Sequence, residues 1–176
     1  MNIGHTLSQS ARNFPNRPAI VYGGKSLTYA SFNERTNRLA NALYRLGVAC
    51  GDHVAILMHN CPEMLEAMYA CFKLGCAAVP INFRLHPKKF AFVIDHSEAT
   101  AVIISSEFNE PLMEVRGLTA GARHLITLAG ASGEFLDYET LLAEEEGRWK
   151  DVDVEPDDLA WLFYTSGTTG VPKGRC

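Results

Sequence analysis

The sequence lacks long apolar runs, and its first residues lack the pattern of a signal peptide. Its most apolar stretch, residues 70–83, is interrupted by Lys73 and Gly75, well short of the ~20 apolar residues that a membrane-spanning helix needs. Residues 1–14 contain neither the basic nor the apolar segment of a signal peptide, so we expect no cleaved leader. These absences predict a protein without a transmembrane segment, and we expect a cytoplasmic location.

A block of one charge sign is also missing. The chain has 16 Lys and Arg residues, 20 Asp and Glu residues and a formal net charge of -4. Because the basic residues are scattered, the sequence has no electrostatic footprint for nucleic acid. We therefore expect no nucleic-acid partner.

Closely spaced cysteine pairs are absent as well. The five cysteines stand at positions 50, 61, 71, 76 and 176, and no two of them form a CxxC pair. This spacing favours reduced structural thiols over a disulfide framework or a metal site. His53 and His59 have no second ligand at metal spacing, so we interpret them as surface or core residues and predict no metal ligands in the chain.

The composition is that of a globular domain. Apolar residues make up 47% and charged residues 20% of the 176 residues, which is close to the average for soluble proteins. A domain of this length buries roughly 70% of the surface that its unfolded chain exposes. We expect a single domain with a substantial core.

The N-terminal part predicts an antiparallel hairpin followed by a helix. Residues 19–22 are an extended apolar run, two glycines at 23 and 24 permit a tight turn, and residues 26–29 form the returning strand. Ser31 is the candidate N-cap of the helix, with Glu34 completing a capping box. Gly47 is the candidate stop signal.

From residue 53 onward the sequence alternates between strand and helix patterns. Continuous apolar runs begin near residues 53, 77, 100 and 123, a repeat of about 23 residues that is typical of compact βα units. Helices are predicted over residues 62–74, capped by Asn60, and over about 87–95 and 108–115. The predicted fold class is α/β, with a parallel sheet of repeated βα units, helices on both faces and an N-terminal antiparallel hairpin.

The following segment is less regular. Residues 131–135 are predicted as a loop, residues 137–147 as a helix and residues 150–158 as an acidic connector. A last strand, residues 159–164, then leads into the sequence YTSGTTGVPKG at residues 164–174. The carboxyl ends of parallel strands are where open α/β sheets bind ligands.

The chemistry of this loop favours phosphate binding. Glycines let backbone N–H groups converge on an anion, hydroxyls add donors and can also turn a lone pair towards magnesium, and a lysine adds positive charge. The pattern differs from the Walker motif because Lys173 is preceded by Pro172 and followed by Gly174. The alternative is a Gly- and Thr-rich turn after a core strand. The candidate site residues are Thr165, Ser166, Gly167, Thr168, Thr169, Gly170 and Lys173.

Two other features are interpreted as structural. Asp95, His96 and Ser97 carry the residue types of a hydrolase triad, but adjacent side chains diverge whereas triads are assembled from distant positions. Lys73 lies in a predicted helix and is expected to extend its ammonium group to solvent.

The order of residues in YTSGTTGVPKG resembles the phosphate-binding signature of the adenylate-forming superfamily, which includes acyl-CoA synthetases, firefly luciferases and peptide-synthetase adenylation domains. Residues 27–43, 51–85 and 86–103 also resemble the family pattern. The resemblance covers nearly the whole chain and corresponds to about the first third of such an enzyme. Domain 1–176 is therefore expected to be a partial, N-terminal subdomain that ends at the phosphate-binding loop.

The resemblance implies an activity. Pro80-Ile81-Asn82 is similar to the form common in acyl-CoA ligases, so the implied reaction joins a fatty or aryl carboxylate to ATP, giving acyl-AMP and pyrophosphate, and then transfers the acyl group to CoA. The implied small-molecule substrates are ATP, the acid and CoA, with Mg²⁺ as cofactor and no tightly bound cofactor in this chain. The resemblance also implies that Lys173 is catalytic and that the loop residues hold the β- and γ-phosphates.

The segments that bind adenine and ribose, place a magnesium-binding acid, line the acyl pocket and supply a mobile lysine would follow residue 176 in such an enzyme. The chain alone is therefore expected to be inactive. The alternative is a non-catalytic, truncated module that binds nucleotide or a protein partner. The acid activated and the oligomeric state stay open.

Overall fold

The computed structural model describes residues 2–128, 130–150, 152–166 and 172–175. The helices of this part are α1 (Gly4–Asn13), α2 (Tyr29–Arg45), α3 (Pro62–Leu74), α4 (Pro87–His96), α5 (Asn109–Glu114) and α6 (Tyr138–Ala143). Its strands are β1 (Pro18–Tyr22), β2 (Lys25–Thr28), β3 (His53–Leu57), β4 (Ala77–Pro80), β5 (Ala101–Ile104), β6 (His124–Thr127), β7 (Phe135–Asp137), β8 (Phe163–Ser166) and β9 (Pro172–Arg175).

Five strands form one parallel sheet in the order β4-β3-β5-β6-β7. Successive residues of β3 face opposite sides, so Val54 and Ile56 pack with α2, α3 and α6, whereas Ala55 and Leu57 pack with α4 and α5. Both faces are thus covered, which explains why the strands are continuous apolar runs. The predicted α/β fold with helices on both faces is confirmed, as is the N-terminal hairpin formed by β1 and β2.

Two helices have N-cap residues other than the predicted ones. The cap of α2 is Thr28, whose side chain accepts a hydrogen bond from the Ser31 N–H at 3.2 Å. Thr28 has extended backbone angles at the end of β2, so the helix can begin three residues before the predicted Ser31 cap. The cap of α3 is Cys61 rather than Asn60, and Pro62 supplies the helical first residue.

The predicted stop at Gly47 is confirmed, since Gly47 follows the C-cap of α2 with a φ of 84°. Gly75 ends α3 in the left-handed conformation, with a φ of 74°. A Cβ at this position would lie 2.7 Å from Sγ of Cys50 and 2.8 Å from Cγ2 of Val152. Glycine is therefore required by both the backbone angle and the surrounding space.

The region after β6 contains a strand that the sequence prediction missed. Phe135 was assigned to a loop, but β7 pairs with β6 in parallel from Phe135 to Asp137. The strand has three residues with a single buried side chain, too short to produce a recognisable apolar run. Asp137 then caps α6 by accepting from the Thr140 N–H at 2.8 Å, and the hydrogen bonds from Thr140 lower the pKa of the Asp137 carboxyl.

Lys73 is fully buried, so the prediction that its ammonium group extends to solvent was wrong. Helix α1 covers this position, and Nζ of Lys73 donates a hydrogen bond to Oγ of Ser8. The close approach depends on Gly4, where a Cβ would lie 2.6 Å from Cγ of Lys73. The covering helix comes from the start of the chain, which local sequence around Lys73 does not reveal.

Candidate phosphate-binding site

The parallel sheet has a topological switch point between β3 and β5. The connection through α3 leads from β3 to β4 on one side, whereas the connection through α5 leads from β5 to β6 on the other. Connections that leave neighbouring strands in opposite directions open a crevice at their carboxyl ends. This edge of the sheet is the expected location of a ligand.

The segment that leads to the candidate loop lies beside β4 and extends the sheet. The Ala78 N–H donates to the Ala160 carbonyl, and the Leu162 N–H donates to the Ala78 carbonyl, each at 2.9 Å. The pairing of Ala78 with Trp161 is parallel, so the chain continues towards the carboxyl edge. The extended segment predicted over residues 159–164 is thus present as this pairing followed by β8.

Side chains of this segment alternate as expected for a strand. Trp161 packs edge-on against Phe72, with ring centroids 5.0 Å apart, and its ring lies 5.7 Å from that of Phe163. Leu162 and Tyr164 pack instead against the apolar cluster of α4 and α5. The approach to the loop is therefore held from both faces of the sheet.

The candidate loop is closed at its base by an antiparallel ribbon of β8 and β9. The backbone register pairs Thr165 with Lys173 and Ser166 with Pro172. The structure thus brings together the backbones of three predicted site residues, Thr165, Ser166 and Lys173. The other four, Gly167, Thr168, Thr169 and Gly170, lie outside the described residues.

Tyr164 connects this ribbon to helix α4. Its hydroxyl lies 2.7 Å from Nδ1 of His96, and the two rings are nearly perpendicular, with centroids 5.7 Å apart. Partial burial raises the pKa of the Tyr164 hydroxyl. The neighbouring Ser97 Oγ donates to the Ile94 carbonyl, so His96 and Ser97 have separate partners and do not form the hydrolase pair considered above.

A second group of residues meets at the switch point, and sequence reasoning did not bring it together. The His59 ring lies 4.1 Å from the ring of Phe83 and 5.6 Å from that of Phe108, and its Nε2 lies 3.4 Å from Oε1 of Glu107. Each of these residues closely follows the end of a strand, β3, β4 or β5. This position could have identified them from the sequence, because ligands bind at the carboxyl ends of parallel strands.

A buried ion-pair network joins helices α2, α3 and α6. A cavity of about 570 Å³ lies between the hairpin and helices α2 and α3. At its wall, Glu66, 1% exposed, accepts hydrogen bonds from Nε of Arg35 and from the Tyr138 hydroxyl, both at 2.7 Å. Arg35 also binds both carboxylate oxygens of Glu139. Burial, reinforced by Glu66, raises the pKa of Tyr138 well above its ordinary value. These groups satisfy one another, which indicates a structural network.

The remaining candidates offer little other chemistry. Burial raises the pKa of the Cys61 thiol to about 11 and that of Cys71 to about 12, so both are protonated and poor nucleophiles at neutral pH. Among the described residues, no group of three or more His, Cys, Asp or Glu side chains could hold a metal ion. No helix in the same part of the chain is long and apolar enough to cross a membrane.

A parallel α/β sheet followed by a Gly-, Ser- and Thr-rich segment is typical of nucleotide-binding domains. The family model described as AMP-binding enzyme matches residues 7–175. The chain therefore belongs to the AMP-binding enzyme family.

Individual relatives agree with this assignment. The chain is 40% identical over 164 residues to the feruloyl-CoA synthase of Amycolatopsis sp., covering 93% of this chain and 30% of that protein. It is 34% identical over 172 residues to a linear gramicidin synthase of Brevibacillus parabrevis, covering 98% of this chain and 3% of that protein.

A solved structure shows the same fold. The crystal structure of the anthranilate CoA ligase AuaEII in complex with anthranoyl-AMP matches with a TM-score of 0.95 and 26% identity, over 99% of this chain and 34% of that one. This chain thus spans about a third of the length of its CoA-ligase relatives.

Proposed function

We propose that this chain is the N-terminal part of an ATP-dependent acyl-CoA ligase and supplies the loop that holds the ATP phosphates. The family match over residues 7–175 carries the proposal. The position of the β8–β9 ribbon, which follows the parallel pairing with β4, supports it. In this proposal residues 1–176 are one partial domain.

The chemistry requires a site for a departing anion. Oxide is a poor leaving group, so the carboxylate must be activated, and in this proposal it is first attached to AMP with release of pyrophosphate. We assign the binding of the β- and γ-phosphates to the loop amides and hydroxyls from Thr165 to Gly170. Lys173 offsets the negative charge that grows on pyrophosphate as it departs, which is electrostatic catalysis by a preplaced charge. Magnesium enters as the complex with ATP.

The proposed acid is a fatty or aryl carboxylate, and the proposed acceptor is CoA. Pro80-Ile81-Asn82 supports this choice, because acyl-CoA ligases commonly carry this form. The names of two similar proteins, a feruloyl-CoA synthase and an anthranilate CoA ligase, support an aromatic acid. The similarity to a linear gramicidin synthase makes an amino acid the alternative substrate, and a screen of carboxylic and amino acids would distinguish the two.

A second candidate is a non-catalytic module that binds nucleotide or a protein partner. The two candidates differ in whether residues 1–175 can support adenylation when the remaining segments are supplied.

A chimera tests this difference. Residues 1–175 would replace the matching N-terminal third of the Amycolatopsis feruloyl-CoA synthase, and ferulate-dependent exchange of pyrophosphate into ATP would be measured. We expect exchange in the chimera and none with residues 1–176 alone. A chimera that is monodisperse and shows a folded circular dichroism spectrum, yet catalyses no exchange, would contradict the proposed ligase function and favour the non-catalytic module.

A further inference from the structure

We propose that His96 is a positioning residue for the phosphate-binding loop, which it holds through the hydroxyl of Tyr164. The proposal rests on the proposed function and extends it. His96 lies outside the loop, and in this proposal it fixes the position of the strand that leads into the loop. Tyr164 is the residue directly before Thr165, the first of the candidate phosphate-binding residues.

Two aromatic rings contact the imidazole of His96. The ring of Phe92, one helical turn earlier, lies 5.2 Å from the His96 ring, and Tyr164 meets the imidazole edge-on. The hydroxyl of Tyr164 then lies at hydrogen-bond distance from Nδ1. Two ring contacts and a hydrogen bond restrict the orientation of both side chains.

The hydrogen bond can form with either tautomer of the imidazole, because a tyrosine hydroxyl both donates and accepts. An asparagine at position 96 would still offer a polar amide at a similar distance from the backbone, whereas a leucine would offer neither a donor nor an acceptor.

The anchor on the other side of the contact is rigid. Helix α4 buries Phe90, Val93 and Ile94 in the core, so His96 projects from an element whose position is fixed by packing. The backbone of the entry segment pairs with β4 at residues 160–162 and then pairs with β9 from Phe163 onward. The His96–Tyr164 contact thus ties the ribbon to the core where its backbone has left the sheet.

A fixed entry strand holds the backbone of Thr165 and Ser166 in place before phosphate binds. Less free energy is then spent on positioning these residues in the complex. The loss of one neutral hydrogen bond of this kind is worth about 0.5–1.5 kcal/mol, which corresponds to about two- to tenfold in affinity. The effect should appear in phosphate affinity and in the backbone signals of the loop.

The experiment uses the 176-residue chain and inorganic tripolyphosphate as the probe, with NMR amide signals of residues 165–174 as the readout. We expect His96→Leu and Tyr164→Phe each to weaken tripolyphosphate binding about two- to tenfold. The double variant should be no weaker than the weaker single variant, because the two changes remove the same interaction. His96→Asn should recover most of the affinity, and Tyr22→Phe, a change to an exposed tyrosine of the hairpin, should leave it unchanged.

The outcomes separate the positioning proposal from the proposed function. A wild-type chain that binds tripolyphosphate through residues 165–174, with His96→Leu binding equally well, would overturn the positioning proposal and leave the function standing. A wild-type chain that shows no change at these residues would overturn the phosphate-loop assignment. In that case ligand-free spectra still decide the positioning proposal, because His96→Leu must shift the amide signals of residues 165–174. Unchanged signals there would overturn it.

Discussion

Replacement of Lys173 by alanine in the feruloyl-CoA synthase chimera is expected to slow ferulate-dependent pyrophosphate exchange about 10- to 150-fold. Loss of a hydrogen bond to a charged group costs about 1.5–3 kcal/mol, and each 1.36 kcal/mol on the barrier is about tenfold in rate. The effect on the apparent affinity for ferulate should be smaller, because the lysine acts where phosphate charge grows. Exchange of labelled pyrophosphate measures both quantities.

A matched control separates this effect from a general loss of positive charge. Lys89 is an exposed lysine of α4, and Lys89→Ala removes the same charge from a residue outside the loop sequence. Its exchange rate should equal that of the unsubstituted chimera. Unchanged exchange in Lys173→Ala would remove Lys173 from the mechanism, and an equal loss in both variants would show that its position at the base of the loop is irrelevant.

Replacement of Glu66 by alanine is expected to lower the free energy of unfolding by about 3 kcal/mol. The change leaves the Arg35 guanidinium without one of its carboxylates and the buried Tyr138 hydroxyl without its acceptor. We expect the low end of the about 3–5 kcal/mol range for broken buried pairs, because the Arg35 side chain is 27% exposed and keeps Glu139. Urea unfolding followed by circular dichroism measures the difference.

The control for this change lies in the same network. The side chain of Glu139, 59% exposed, accepts two hydrogen bonds from the same arginine. Because solvent screens such a pair, Glu139→Ala should cost less than about 1 kcal/mol. If Glu66→Ala were no more destabilising than Glu139→Ala, the buried network would not stabilise the fold in the way that its geometry indicates.

The sheet could be predicted because each of its strands is marked by a local sequence pattern. The runs that begin near His53 and Ala77 are continuous and apolar, and glycines precede them, so both the strands and the βα repeat can be counted directly. The cap of α2 was misplaced for an equally local reason. Thr28 and Ser31 are both good caps, and the choice depends on where the preceding strand ends.

The buried polar network could not be predicted, because its partners are far apart in the chain. Arg35 and Glu66 are separated by 31 positions, and Glu66 and Tyr138 by 72. Nothing in the local sequence distinguishes Glu66 from an exposed helix carboxylate. The burial of Lys73 depends in the same way on α1, which lies 65 positions away at Ser8.

The residue types of the candidate site could be predicted from the sequence, but the contacts that hold its entry strand in place could not. The loop residues stand together in the sequence, so their types alone indicated phosphate chemistry. The contact that holds their entry strand joins Tyr164 to His96, 68 positions earlier, and nothing in the sequence near either residue indicates this pairing. The register of β8 with β9 adds that Lys173 lies opposite Thr165.

The central claim is that this chain supplies a phosphate-binding loop but only part of an ATP site. The most direct test is titration of the 176-residue chain with magnesium and ATP, with binding measured by NMR amide signals and by calorimetry. We predict changes at residues 165–174 and a Kd no tighter than about 1 mM, equivalent to about -4 kcal/mol, because phosphate contacts alone must offset the ordering of a glycine-rich loop. A micromolar Kd, or changes confined to other residues such as those around Arg35, would contradict the account.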